Sequence, residues 1–209
     1  MTRPEAFWNM RAQTYDAQVG PHYEDAYRKT LENTVKYLHP DFRVLDFACG
    51  TGIVTLPMAA SAGEVLAIDI APEMVERIRK KAAEQQVKNL TVRNLDLFDP
   101  SLLPGSFDAV TAFNVLCYLK DLPAALARIW QLLRPGGVFL SATDCLGQGI
   151  TREGMRKWFK IHTGAMPFEA FLTMDRLEQA VAAAGFTVLE RENLFPAPPN
   201  LFLAARRSE

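Results

Sequence analysis

A hydrophobic segment that runs into glycines is the part of this sequence best suited to hold a ligand. Residues 44–52 read Val-Leu-Asp-Phe-Ala-Cys-Gly-Thr-Gly, and a helical pattern follows. Gly50 and Gly52 allow backbone conformations that other residues avoid, and they leave no side chain between the backbone amides and a ligand. The start of a helix adds unpaired N–H groups. The pattern predicts a ligand site, although two glycines alone also fit a plain tight turn.

Acidic residues lie at the ends of three successive hydrophobic segments. Asp46 lies in the first such segment, and Asp69 and Asp96 lie at or just after the next two. A dinucleotide fingerprint would have a third glycine or an alanine where this chain has Thr55. The charge of Asp46 would also sit unfavourably near a pyrophosphate, whereas it would favour a cationic ligand. A nicotinamide oxidoreductase is therefore the weaker alternative.

Short β-branched runs alternate with helical patterns from about residue 43 onward, which predicts βαβ units and a parallel sheet. Strands are predicted at residues 43–47, 65–69, 90–94, 109–113, 138–142, 187–190 and 201–205. Helices are predicted at residues 51–61, 72–85, 122–133 and 174–184, after two N-terminal helical patterns. The proline-rich link at residues 195–200 predicts a tight return, so that the last strand runs antiparallel. Ligands bind such sheets at the carboxyl ends of the strands.

The segment Asp46-Phe47-Ala48-Cys49-Gly50-Thr51-Gly52 closely resembles the first motif of the class I S-adenosylmethionine-dependent methyltransferases of the small-molecule type. Ala48 stands where many members have glycine. The resemblance is best over residues 43–143. It implies an α/β fold with a doubly wound, mostly parallel seven-stranded sheet, the Rossmann-like methyltransferase fold, with N-terminal helices and a lid insertion before the last helix.

The resemblance also implies S-adenosyl-L-methionine as the cofactor. Asp69 matches the residue that accepts hydrogen bonds from the ribose hydroxyls, and Asp96 is similar to the residue that receives the adenine amino group. Asn114 would present its backbone carbonyl to the ammonium group of the donor. The residues implied to bind the donor are Tyr15, Asp46, Ala48, Gly50, Gly52, Asp69, Ile70, Met74, Asp96, Leu97 and Asn114.

We expect one methyltransferase domain over residues 1–209. It divides into an N-terminal helical cap (1–40), a donor-binding core (43–143), a lid or acceptor-pocket insertion (144–171) and a C-terminal helix with a strand pair (172–209). The insertion mixes aromatic residues with four basic ones, Arg152, Arg156, Lys157 and Lys160. Such a segment fits a solvated helix face, or a lid that receives an acidic aromatic or acyl substrate.

His22 and His162 are the candidate general bases, because they lie in the two segments where this family commonly builds its acceptor pocket. For each of them taken alone, a surface or packed histidine is the more frequent alternative. An acceptor that is already deprotonated needs only positioning. A catechol-type magnesium site would need carboxylates at the ends of the fourth and fifth strands, and Asp144 is the single one there, so no metal is predicted.

The composition narrows the choice of partners. With 23 basic and 24 acidic residues, the formal net charge is −1, which gives no overall field to attract nucleic acid. After the fourth strand, the chain lacks the Asn/Asp-Pro-Pro-aromatic motif of enzymes that methylate amino groups of nucleic acids and amides of proteins. Cys49, Cys117 and Cys145 form no CxxC pair, which suits free thiols. No membrane segment or export signal is recognisable, so a cytoplasmic location is expected.

Methyl transfer to a nucleophilic atom of a small molecule is therefore the predicted function. Methylation of tRNA or protein is the main alternative within enzymes. A non-catalytic S-adenosylmethionine-binding partner subunit is the alternative outside them.

Overall fold

A seven-stranded sheet forms the centre of the structure, a computed structural model that describes residues 3–208, the side chains of residues 20–22 apart. The strands are β1 (Arg43–Phe47), β2 (Glu64–Asp69), β3 (Leu90–Asn94), β4 (Phe107–Phe113), β5 (Leu133–Asp144), β6 (Phe186–Pro196) and β7 (Pro199–Arg207). Their spatial order is β3-β2-β1-β4-β5-β7-β6. The first five strands pair in parallel, and β7 runs antiparallel to both β5 and β6. The predicted fold class is confirmed, including the direction of the last strand.

Helices cover both faces of the sheet. They are α1 (Pro4–Arg11), α2 (Tyr15–Val35), α3 (Thr55–Met58), α4 (Pro72–Glu84), α5 (Leu122–Leu132), α6 (Arg152–His162) and α7 (Met174–Ala183). Side chains of α5 and α7 pack with Leu45 and Phe47 of β1 on one face. Side chains of α3 pack with Val44 on the other. Within residues 3–208, no helix combines the length and the apolar character needed to cross a membrane.

The alternation of side chains along β1 decides where its acidic residue points. Because neighbouring residues of a strand face opposite sides of the sheet, Asp46 lies on the same face as Val44. That face is covered by α3, and Thr55 at the start of α3 donates a hydrogen bond to Asp46. Helix and strand thus meet through a buried polar contact inside a largely apolar layer.

The helix after β1 begins later than predicted. We expected it to cover residues 51–61, but α3 starts at Thr55, and a 3₁₀ turn covers Ala59–Ser61. Gly50 and Gly52 have φ angles of 54° and 83°, in the left-handed region, so the chain turns over residues 50–54 before helical geometry begins.

The segment 144–171, which we expected to be a solvated helix face or a lid and in which periodicity located no helix, contains α6. Thr151 caps this helix, because its Oγ1 accepts a hydrogen bond of 2.9 Å from the N–H of Gly154. The apolar side chains of α6 face outward: Met155, Trp158 and Phe159 are more than half exposed. A search for a buried apolar stripe therefore does not detect this helix. The division of the chain into cap, core, insertion and C-terminal part stays a prediction.

Gly52 is required for packing between the turn after β1 and α4. A Cβ atom at this position would lie 2.7 Å from Cγ1 and 2.8 Å from Cδ1 of Ile78, which is fully buried. We expect Gly52→Ala to lower the free energy of unfolding by about 1–3 kcal/mol through overpacking, in addition to the cost of a left-handed alanine. Gly105→Ala is the matched control, because Gly105 also has a positive φ but no atom within 4 Å of its would-be Cβ. Urea unfolding of both variants would measure the difference, and equal losses of stability would contradict the packing role.

Candidate functional site

Three cavities lie side by side at the edge of the sheet where the parallel strands end. The strand-tip cavity, about 180 Å³, is lined by Asp69, Ile70 and Met74 among others. The loop cavity, about 50 Å³, is lined by the turn after β1, including Cys49 and Thr51. The largest, about 350 Å³, is called the outer cavity. It lies among residues of α1, α2, α6 and the turn between β6 and β7.

Two residues connect these cavities. Tyr15 and Asn114 line all three, and Trp8 and Tyr118 line both the strand-tip cavity and the outer cavity. Molecules bound in the strand-tip and outer cavities would therefore meet at these four side chains.

The turn after β1 contributes differently at each position. Ala48 and Gly50, with φ angles of 59° and 54°, line both the strand-tip cavity and the loop cavity. No atom lies within 4 Å of the position that a Cβ of Gly50 would take. Gly52, by contrast, faces Ile78 and does not line these cavities. Of the two glycines predicted to face the donor, Gly50 lies at a cavity, and Gly52 fixes the position of the turn.

Asp69 joins the ends of two segments. Its Oδ2 accepts a hydrogen bond of 2.9 Å from the N–H of Gly50, and its Oδ1 accepts one of 2.8 Å from the N–H of Ala71. Burial raises the pKa of the Asp69 carboxyl, and the backbone N–H groups of Ala71, Gly50 and Ile70 partly offset this rise. Each carboxylate oxygen can accept more than one hydrogen bond, so Asp69 can still receive donors from a ligand in the strand-tip cavity.

Ile70, Met74 and Asp96 also line the strand-tip cavity. Asp96 is exposed, and its Oδ1 accepts a hydrogen bond of 2.8 Å from the N–H of Phe98. Leu97, predicted as a neighbouring contact, is buried in the main apolar core and does not line the cavity. A cavity lined by apolar side chains and by two carboxylates, Asp69 and Asp96, suits a planar, polar-edged group.

Asp46 lies at the loop cavity and is almost fully buried. Its carboxylate accepts hydrogen bonds of 2.5 Å from Thr55 Oγ1 and 2.7 Å from Thr111 Oγ1. Burial raises the pKa of Asp46 to about 6, and these hydrogen bonds act in the opposite direction. A cationic group at the loop cavity would favour the ionised form of this side chain.

Asn114 lies at the centre of a hydrogen-bonded chain of side chains. Asn200 Nδ2 donates to Asn114 Oδ1 at 2.9 Å and to Asp144 Oδ1 at 2.8 Å. On the other side, the Tyr27 side chain is hydrogen-bonded to both Asn114 and Tyr15. No local pattern groups these residues, because Tyr27 lies in an N-terminal helical pattern and Asn200 in the proline-rich link.

A buried ion pair lies beside these hydrogen-bonded side chains. Lys157 Nζ is 2.8 Å from Glu169 Oε1 and 3.6 Å from Asp144 Oδ2, and the Glu169 side chain is fully buried. Burial alone would lower the pKa of Lys157, but the two carboxylates raise it above its ordinary value, so Lys157 is charged.

The two histidines predicted as general bases are not brought to the cavities by any described contact. His162 is exposed on α6, its ring stacks on Trp158 with centroids 4.0 Å apart, and it does not line the outer cavity. His22 lies within α2, but its side chain falls outside the described part of the structure. Burial raises the pKa of Tyr15 and of Tyr118, so both hydroxyls stay protonated at neutral pH.

The N-terminal helices cover the site. Thr51 Oγ1 donates a hydrogen bond of 2.5 Å to Asp16 at the start of α2, and Lys81 forms an ion pair with Asp16. The rings of Trp8 and Tyr118 pack edge to face with centroids 5.2 Å apart. Trp8 was part of an N-terminal pattern in the sequence, but its contact with Tyr118 depends on the fold.

The strand order of this doubly wound sheet, with cavities at its strand tips, is that of the Rossmann-like methyltransferase fold. Comparison of the sequence with family models then identifies the family. Residues 44–137 match the family model described as a methyltransferase domain. This segment of the chain therefore belongs to the methyltransferase-domain family.

Curated relatives match part of the chain. It is 38% identical to the nocamycin O-methyltransferase of Saccharothrix syringae over 129 residues, which make up 60% of this chain and 45% of that protein. The chain spans about half the length of the curated relatives that it matches.

Solved structures share the fold. An S-adenosylmethionine-dependent methyltransferase from Mesorhizobium loti superposes with a TM-score of 0.70 at 22% identity, over 87% of this chain and 98% of that one. The phosphoethanolamine N-methyltransferase 2 of Haemonchus contortus, solved with S-adenosylhomocysteine, gives a TM-score of 0.81 at 16% identity. That match covers 100% of this chain and 61% of the other.

Asp46 makes the stability of the fold depend on pH in a defined direction. Its pKa is about 6 in the folded chain and 3.8 as the ordinary value, so between these values the folded chain holds a proton that the unfolded chain releases. Stability therefore falls as the pH rises from about 4 to about 6. The total contribution is about 3 kcal/mol.

Asp46→Asn should remove this loss. We expect the stability difference between Asp46→Asn and the parent chain to shift by about 3 kcal/mol in favour of the variant between pH 4 and pH 7. Chemical denaturation across that range would measure it. Asp41→Asn, at a side chain that is 89% exposed, is the control. A difference that stays constant with pH would contradict the buried titration.

Proposed function

We propose that this chain transfers a methyl group from S-adenosylmethionine to a nucleophilic atom of a small-molecule acceptor. The observation that carries the proposal is the wall of four side chains, Trp8, Tyr15, Asn114 and Tyr118, shared by the strand-tip cavity and the outer cavity. A transferase needs two adjoining sites, and these two cavities share part of their wall. Membership of the methyltransferase family supports this assignment.

The residues at the strand-tip and loop cavities suit the donor. Asp69 has acceptor capacity left for the two ribose hydroxyls, and Ile70 and Met74 offer apolar contact to the adenine. Asp96 would accept from the adenine amino group. At the loop cavity, Gly50 leaves room for close backbone approach, and Asp46 favours a cationic group. The S-adenosylhomocysteine in the Haemonchus contortus structure, which shares the fold, supports the same donor.

When bound, the donor would supply a methyl group on a sulfonium: the acceptor's lone pair would form the new bond to carbon as the carbon–sulfur bond breaks and leaves its electron pair on sulfur. The chain contributes mainly orientation. Holding two reactants at near-attack distance contributes roughly 7–11 kcal/mol to lowering the barrier. Tyr15, Asn114 and Tyr118 lie where the two cavities adjoin and are therefore the residues that would align the reacting atoms.

Positioning suffices if the acceptor atom is deprotonated in solution. None of the described side chains that line the outer cavity is a histidine, and its two carboxylates, Asp144 and Glu153, each have a cationic partner. The size of the cavity and its cover by α1, α2 and α6 favour a small molecule over a nucleic acid or a protein surface.

Transfer of labelled methyl from S-adenosylmethionine to a metabolite extract tests the proposal directly. Label in small-molecule products supports it. Donor binding without any transfer to the extract would instead support the non-catalytic donor-binding subunit, and transfer only to added tRNA or protein would support a macromolecular acceptor.

Asp69→Ala should weaken binding of S-adenosylhomocysteine by about 1–3 kcal/mol, because the ribose hydroxyls lose their acceptor. Isothermal titration measures this loss. Asp175→Asn, at an exposed side chain on α7, is the control and should bind like the parent chain. Unchanged affinity in a folded Asp69→Ala protein would remove the ribose role.

His162→Ala should leave both donor affinity and turnover unchanged, because this ring stacks on Trp158 away from the outer cavity. His22→Ala, measured in parallel, tests the second histidine. A loss of turnover with intact donor affinity in either variant would identify that histidine as a base and contradict positioning as the sole contribution.

A further inference from the structure

The outer cavity has an aromatic lining. Its volume of about 350 Å³ lies in the range of small-molecule sites. Six aromatic side chains contribute to its wall: Phe7, Trp8, Tyr15, Tyr23, Tyr27 and Tyr118. Aromatic walls favour planar, apolar ligands, because ring faces and edges pack well against them.

Charged side chains line the same cavity. Four are cationic: Arg11, Arg156, Lys157 and Lys160. Two of them already have carboxylate partners: Arg156 is 3.0 Å from Glu153, and Lys157 lies between Glu169 and Asp144.

The other two cations are available to a ligand. In the described part of the chain, neither Arg11 nor Lys160 has a carboxylate partner within 4.0 Å. The Nε of Arg11 is buried and has no hydrogen-bond partner among the described residues. The four cations lie beside three carboxylates: Asp144 and Glu153, which line the cavity, and Glu169, which pairs with Lys157. The cavity therefore has an excess of one positive charge. A ligand with one negative charge would balance this excess.

Resting on the proposed function, we infer that the acceptor is a small aromatic carboxylic acid, bound as its carboxylate by Arg11 and Lys160. A carboxylate fits better than a doubly charged phosphate, since one positive charge is in excess. It also matches the planar fork of an arginine, which donates two parallel N–H bonds. A buried guanidinium N–H gains an acceptor when the acid binds.

The position of the two cations orients such a ligand. Arg11 belongs to α1 and Lys160 to α6, the helices that cover the outer cavity, whereas Tyr15 and Asn114 lie where this cavity adjoins the donor side. A carboxylate held by the covering helices directs the rest of the acid toward that junction.

Binding of matched acids and amides tests the inference without relying on catalysis. The protein, saturated with S-adenosylhomocysteine, is titrated with benzoate, salicylate and gallate and with their primary amides, which keep the ring but lose the charge. We expect at least one acid to bind about ten-fold or more tightly than its amide. The inference is overturned if no pair prefers the acid.

Variants locate the charge recognition. Arg11→Gln and Lys160→Gln should each weaken binding of the preferred acid about ten-fold and leave binding of its amide unchanged. Arg11→Lys should retain part of the preference, because it keeps the charge. Arg152→Gln is the control, since Arg152 lies on α6 but does not line the cavity. Thermal unfolding checks that each variant is folded. Equal acid affinity in both Gln variants and the control would overturn the assignment.

A fractionated extract separates failure of this inference from failure of the proposed function. The metabolite extract is divided by anion exchange at neutral pH, and each fraction is incubated with labelled donor. Label in the anionic fraction supports the inference. Label confined to the neutral and cationic fractions overturns it and leaves the proposed function intact. If no fraction accepts label, the proposed function fails and the acid is not an acceptor; the acid–amide titration then decides only whether the outer cavity binds an aromatic carboxylate.

Discussion

The ligand-facing edge of this protein depends on the carboxylate of Asp69. Its two oxygens accept backbone hydrogen bonds from Gly50 and Ala71, which begin the segments after β1 and β2. A buried N–H without a partner costs about 1–3 kcal/mol, so one side chain satisfies two groups that neither sheet nor helix reaches. Asp69 also places a second buried carboxylate near Asp46. The pKa of Asp46 is raised mainly by burial and, to a smaller extent, by the charge of Asp69. A cationic ligand beside them would lower the cost of burying both carboxylates, which fits a sulfonium donor.

Most of the sheet could be predicted because its strands are local patterns. The bounds of β1 and β3 agree with the prediction, and the other strands extend it by one or more residues. Two elements could not be predicted well. The start of α3 depends on left-handed turns at Gly50 and Gly52, whose length the spacing of glycines does not fix. In α6 the apolar residues face solvent, and Lys157 on its inner face pairs with buried Glu169, which reverses the usual pattern of an amphipathic helix.

In the candidate site, too, some residues could be predicted from local sequence patterns and others could not. The acidic residues at strand ends could be placed together from sequence, because the ends of parallel strands share one edge. Leu97 and Gly52 lie near the cavities but face the packed interior instead, since direction of a side chain in a loop follows from tertiary contacts. The chain of hydrogen bonds through Asn114 and Asn200 joins residues 86 positions apart. No local spacing encodes such a pairing.

The N-terminal helices connect the two halves of the site. Asp16 holds the start of α2 against the turn after β1 through Thr51 and Lys81. The same helices supply Trp8 to the wall of the strand-tip cavity and Arg11 to the outer cavity. The outer cavity is therefore complete only while α1 and α2 lie on the turn after β1. Contacts that order this turn also order the outer cavity, so ligands bound at the two places would be coupled through the N-terminal helices that cover both.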